Sequence, residues 1–207
     1  MPSKDYTTIQ GRVDAEITVK GSRFIAVAVP VSDEDSAKAI IEDLKTEFPM
    51  ANHYTYGMIT GGSDRRERSS DNGEPSGTAG RPILNVIRES GLSDIIVVVI
   101  RYFGGTLLGT GGLVKTYTDS AVAAISSCRR VERRICGIYA LSLPYSAYDG
   151  FINRLSGFFA GKPVCEYSAD VSVTVAVPVG KEEDFLTAIR DATSGSIQPR
   201  LVEHRYA

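Results

Sequence analysis

Apolar and polar positions change period several times along this chain, and the changes predict most of its elements. β-branched residues on both sides of Gly21-Ser22 predict a hairpin or two consecutive strands over residues 15–31. From 32 to 48 the spacing turns helical. Ala37, Ile40, Ile41, Leu44 and Phe48 share one face, Ser32 or Asp33 can cap the start, and Pro49 ends it. "HYTYGMIT", residues 53–60, alternates weakly and reads as a strand. Residues 61–82 contain almost nothing apolar and read as one long loop, of a length that is usually functional or disordered. "ILNVIRESG" then predicts a short helix ended by Gly91. The continuous β-branched run "DIIVVVIRYF", 94–103, predicts a buried central strand. A glycine-rich loop, 104–112, follows. After it "LVKTYTDSAVAAISSC" predicts a helix with Leu113, Tyr117, Ala121, Ala124 and Ile125 on one side.

The charge run "RRVERR", 129–134, has no apolar face and reads as a linker, dividing the chain into domains 1–134 and 135–207. Beyond it the order is strand, helix, a hairpin turning near Ser168–Asp170, helix and strand. That β-α-β-β-α-β sequence is the split βαβ, ferredoxin-like arrangement, so the predicted fold class is α+β in two domains. No internal repeat is evident.

Composition narrows the function classes. Hydrophobic residues make up 43% and charged residues 23% of the 207 positions, ordinary for a globular protein. A formal net charge of −2 supplies no global field toward nucleic acid or membrane. No run approaches the roughly 18 consecutive apolar residues of a spanning helix, and "MPSKDYTTIQ" lacks a signal core, so a cytoplasmic protein without a membrane partner is expected. Cys128, Cys136 and Cys165 lack CxxC spacing and read as free thiols. Neither metal nor cofactor is expected.

Two stretches can carry chemistry. "RYFGGTLLGTGG", 101–112, places a glycine-rich turn between a buried strand and a helix start, where unpaired N–H groups can cradle phosphate. Val114 stands where either GxGxxG or a P-loop needs glycine, so the dinucleotide and ATPase fingerprints fail. What remains is a looser anion nest of Arg101, Gly104, Gly105, Gly109, Gly111 and Gly112, with Lys115 and Thr116 one turn into the helix. The alternative is that these glycines serve only tight turning and close packing.

The second stretch, "SDNGEPSGTAGRPI", 70–83, is polar yet conformationally specified by its glycines and prolines. Asp71 and Glu74 could bind a cation, do acid–base work or cap backbone groups. Ser76 and Thr78 could contact phosphate beside Gly77, Gly80 and Arg81. The alternative is a self-capping loop. No nucleophile-plus-base set assembles, so no catalytic residue is assigned. His53 reads as a structural histidine at a strand start or as a base. The arginines at 65–68 and 129–134 read as solvated, or as phosphate contacts that with Tyr54, Tyr56, Tyr102 and Phe103 would build an RNA surface.

"SDNGEPSGTAGRPIL" followed by "VVVIRYFGGTLLGTGGLVKTYTDSA" resembles the signature of the Impact/YigZ family, with "HYTYGM" at that family's histidine-bearing strand. Asn72 departs from the D-D-G-E-P pattern of many bacterial members. The resemblance implies a first domain like ribosomal protein S5 domain 2. It also implies a second, ferredoxin-like domain similar to domains III and V of elongation factor G. It implies a setting in translation and stress response, because the family's eukaryotic namesake regulates translation under amino-acid starvation. The expected function is a regulator that binds RNA, the ribosome or a translation-factor partner through the glycine-rich surface. Two other classes stay open: an enzyme acting on a nucleotide or other phosphorylated small molecule, and a protein-interaction module with no nucleic-acid ligand.

Overall fold

The computed structural model describes residues 4–62 and 64–207. Ser63, in the predicted 61–82 loop, and Met1–Ser3, in the N-terminal segment, lie outside them. The chain forms two compact units, Tyr6–Glu132 and Arg133–Ala207 with the described part of Met1–Asp5.

The first unit opens with β1 (Tyr6–Ile9), followed by the hairpin β2 (Val13–Val19) and β3 (Ser22–Pro30). Lys20 and Gly21 both have positive φ, +47° and +79°, which is the type I′ geometry that a two-residue hairpin loop favours. Helix α1 (Glu34–Glu47) starts at Asp33, whose carboxylate accepts the Ser36 N–H at 2.7 Å while Ser36 Oγ accepts the Asp33 N–H. This is the reciprocal capping expected of such residues. Next come β4 (His53–Thr60), β5 (Arg66–Ser70), α2 (Gly80–Ser90), β6 (Ile95–Tyr102), α3 (Gly109–Ser126) and β7 (Arg130–Arg133).

Five strands make one antiparallel sheet in the order β2-β3-β6-β4-β5, and β1 pairs with β7. Side chains alternate across a strand, so β6 feeds two cores. On one face Phe24, Ala26, Val97 and Val99 pack with Ile83 and Ile87 of α2 and Tyr117 and Ala121 of α3. On the other, Ile25, Val27, Ile96, Val98 and Ile100 pack with Ala37 and Leu44 of α1. Burial on both faces is why the β6 run is unbroken in its apolarity.

The second unit runs β8 (Ile135–Leu143), α4 (Tyr145–Leu155), β9 (Val164–Tyr167), β10 (Val171–Pro178), α5 (Glu182–Thr193) and β11 (Arg200–Tyr206). The predicted β-α-β-β-α-β order is observed, in an antiparallel sheet ordered β11-β8-β10-β9. Val171, Val173, Val175 and Val177 alternate into a core with Phe151, Leu155, Phe185 and Ile189. No helix among the described residues is long and apolar enough to cross a membrane.

Four expectations need correction. The 61–82 stretch is not all loop, because "RERSS" is β5, an edge strand paired with β4. With one neighbour and mostly exposed side chains, it needs no apolar residues, so its sequence carries no strand signal. "RRVERR" is not a bare linker, since four of its residues form β7. Helix α2 begins at Gly80, three residues early, because Asp71 supplies its cap from outside the helix. Helix α3 begins at Gly109, so Gly109, Gly111 and Gly112 occupy its first turn instead of a loop.

Candidate functional site

Asp71 begins the site by fixing the 71–80 segment. Its carboxylate accepts the N–H groups of Gly77 (2.8 Å), Ala79 (3.0 Å) and Gly80 (2.9 Å). Burial pushes this carboxyl up, but the three backbone N–H bonds overcome that and hold it below the usual carboxylate range. Asn72 and Gly73 take positive φ, +42° and +86°, in a turn closed by the Glu74 N–H on the Asp71 carbonyl. Asn72 Oδ1 accepts the Tyr54 N–H, and its carbonyl accepts from His53 Nδ1 at 2.8 Å. The asparagine that departs from the family pattern thus pins the turn to the start of β4.

This turn drives Glu74 inward. Its Oε1 accepts from Arg101 Nη1 at 2.5 Å and from the Tyr117 hydroxyl at 2.6 Å, and the side chains of Glu74 and Arg101 are 3% and 5% exposed. His53 Nε2 stands 3.8 Å from the same oxygen. Burial, then the bond to Glu74, pushes the Tyr117 phenol above its ordinary range, so it remains a neutral donor. The Arg101 guanidinium stacks near two rings, 5.2 Å from the Phe24 centroid and 5.4 Å from that of Phe103.

Above this cluster is a cavity of about 410 Å³. His53, Glu74 and Arg101 line its polar side, and Phe103, Leu107 and Leu108 are prominent on its apolar side. Gly109 and Thr110 bring the start of α3 to it. That helix start has no side-chain cap, and its first N–H groups have no intrahelical acceptor. Gly109, Thr110 and Gly111 are exposed. The amides just before them are partly spent, with Phe103 N–H on Asn52 Oδ1 (2.8 Å) and Gly104 N–H on Ser22 Oγ (3.1 Å). A Cβ on Gly104 would fall 1.9 Å from the Gly21 carbonyl carbon, so this glycine is required where the loop crosses the hairpin turn.

Of the candidate residues singled out in the sequence, the fold brings His53, Glu74, Arg101, Phe103 and Gly109 to the cavity. Gly105 is exposed in the loop, and Gly111 and Gly112 lie in the first turn of α3. Lys115 does not line the cavity; its ammonium pairs with Asp119 at 2.5 Å on the exposed side of α3. Thr116 is buried and donates to the Gly112 carbonyl. Thr78 donates to the Pro75 carbonyl, and Ser76 is exposed. Gly77 and Arg81 border a separate hollow of about 280 Å³ along α2 and α3. The sequence reading missed Asn52, Ser22, Thr110 and the hydroxyl of Tyr117. Tyr117 alone carried a signal, as the one phenol on an otherwise aliphatic helix face.

Fold and site together define a two-unit α/β protein with a half-open, largely apolar cavity at an uncapped helix start. The Impact N-terminal domain family matches residues 20–125, which contain the whole cavity lining. The chain belongs to the IMPACT family. It is similar to the IMPACT family member YigZ of Escherichia coli K12, with 36% identity over 89% of this chain and 92% of that one. It is also similar to YvyE of Bacillus subtilis 168, at 33% identity over 92% and 88% of the two chains. A crystal structure of a hypothetical protein matches at a TM-score of 0.67 and 33% identity, covering 98% of this chain and 99% of that one.

Proposed function

We propose that this protein is a translation-associated regulator of the cytoplasm that binds structured RNA of the ribosome through the face carrying the start of α3. Family membership supports the translation setting. The finer reading of the two units belongs to the same proposal: the element order of the second supports ferredoxin-like, and family membership supports S5 domain 2-like for the first.

One observation carries the RNA-binding part: the first amides of α3 are exposed and uncapped, in a stretch with no acidic residue in the first helical turn. Such a terminus presents N–H donors and the positive end of the helix dipole to phosphate oxygens. Contacts of this kind position a backbone without reading sequence. With a net charge of −2 the affinity is modest and depends on salt.

Filter binding of ribosomal RNA fragments across a salt series tests this. Thr110→Glu is the informative variant, because a carboxylate in the first turn favours the helix while repelling phosphate. The expected result is affinity that falls with salt in the wild type and drops about tenfold in the variant, with an unchanged or higher melting temperature. Binding insensitive to both salt and Thr110→Glu would shift the assignment to a protein partner held by apolar contact.

A further inference from the structure

One buried donor in the cavity lining is unused. Arg101 is 5% exposed; Nη1 is taken by Glu74 and Nη2 reaches Ser22 Oγ at 3.4 Å, but Nε has no partner among the described residues. A buried N–H left unpaired costs about 1–3 kcal/mol. Native proteins leave few such groups, and each calls for a reason. Arg101 borders the same cavity as the uncapped Gly109–Thr110 end of α3. Two residues on one hollow, a strand arginine and a helix start, thus each carry unsatisfied donors.

The surroundings narrow what would satisfy them. The Arg101 charge is already matched by Glu74, and Tyr117 is a neutral donor to that carboxylate. What remains is the helix end, equivalent to roughly half a positive charge. That favours a single anionic group over a polyphosphate. Phe103, Leu107 and Leu108 supply an apolar wall, and a volume of about 410 Å³ falls within the range of small-molecule sites. Bulk RNA phosphate would leave this wall without a partner.

We infer that the cavity is a binding site for a small amphipathic oxyanion, an acidic group on an apolar body. Its oxygens accept from the Gly109 and Thr110 amides and from Arg101 Nε, and its body lies against Phe103, Leu107 and Leu108. Nε is covered in this conformation. Of the two rings over the guanidinium, Phe24 is buried, whereas Phe103 is 44% exposed and precedes Gly104-Gly105. The Phe103 ring is thus the part that turns aside to admit a ligand oxygen. The ligand takes the same Gly109 and Thr110 amides as the RNA contact proposed above, so the two compete for that helix start, and only the small-anion reading requires the apolar body.

The test is a titration of the full-length, nitrogen-15-labelled chain with hexanoate, phenyl phosphate and inorganic phosphate, followed by NMR. Hexanoate and phenyl phosphate are expected to move the Arg101 Nε–H and the Gly109 and Thr110 amide resonances saturably. Inorganic phosphate is expected to act about tenfold more weakly. Hexanoate binding more tightly than phenyl phosphate makes the natural ligand a carboxylate; the reverse order makes it a phosphate monoester. Leu107→Ser removes an 82% exposed side chain that the fold does not need. It should weaken hexanoate several-fold and leave inorganic phosphate unchanged. An Arg101 Nε–H unmoved by both amphipathic anions overturns the inference. So does an equal response to inorganic and phenyl phosphate, which would reduce the site to a bare helix end.

Discussion

The two glycine-rich segments of the first unit, 71–80 and 104–112, have opposite fates. In 71–80, one carboxylate collects three backbone N–H groups, Thr78 closes on Pro75, and Glu74 is sent into the core. In 104–112, Gly104 finds an acceptor on the neighbouring hairpin, and the helix start beyond it has no cap. The difference lies in acceptors rather than in glycine. Asp71 provides a side-chain oxygen within reach of its own segment, whereas 104–112 contains no carboxylate or amide side chain at all. A loop that satisfies itself is scaffold; one that does not leaves donors for a ligand.

Four substitutions bear on this contrast. The largest effect belongs to Glu74→Ala, which strands the buried Arg101 charge and the Tyr117 hydroxyl and should cost about 3–5 kcal/mol in urea unfolding. A cost under about 1 kcal/mol would mean that the ion pair does not organise the site. Gly104→Ala comes next, at about 3 kcal/mol, because its Cβ would collide with the hairpin backbone.

Asp71→Ala should cost about 2–3 kcal/mol at neutral pH through three lost charge-assisted bonds. Since the folded carboxyl titrates below its usual 3.8, that contribution is full above this value and fades as pH falls through the folded pKa. The gap between wild type and variant should therefore narrow below about pH 3.8. A gap independent of pH would count against the ionised cap. Smallest is Gly111→Ala: nothing lies within 4 Å of the added Cβ, so the variant should be neutral or gain up to about 1 kcal/mol. If instead it is as damaging as Gly104→Ala, the first turn of α3 is packed rather than open.

Much of the fold was legible wherever burial imposes a period. The β2–β3 hairpin, α1, β6 and the whole β-α-β-β-α-β order of the second unit follow from alternation, helical spacing or unbroken apolarity. β5 and β7 were not legible, because a strand that buries no face writes no pattern. In the site, the sequence offered capping of backbone groups as one of three uses of Asp71. The Glu74–Arg101–Tyr117 cluster was not foreseen, because Arg101 and Tyr117 lie 27 and 43 residues from Glu74 and the three meet only where the 71–80 turn, β6 and α3 pack together. Lys115 illustrates the reverse case: sequence proximity to the glycines placed it in the nest, and helix geometry turned it toward Asp119.

The polar edge strand β5 has a consequence for the protein at high concentration. A sheet margin with unpaired backbone groups invites the same margin of another copy to add on, the first step toward stacked fibrils. Exposed Arg66 and Arg68 on β5 place like charges opposite each other in an antiparallel pairing centred on Glu67. The five residues whose lack of apolarity hid them as a strand thus also disfavour that pairing.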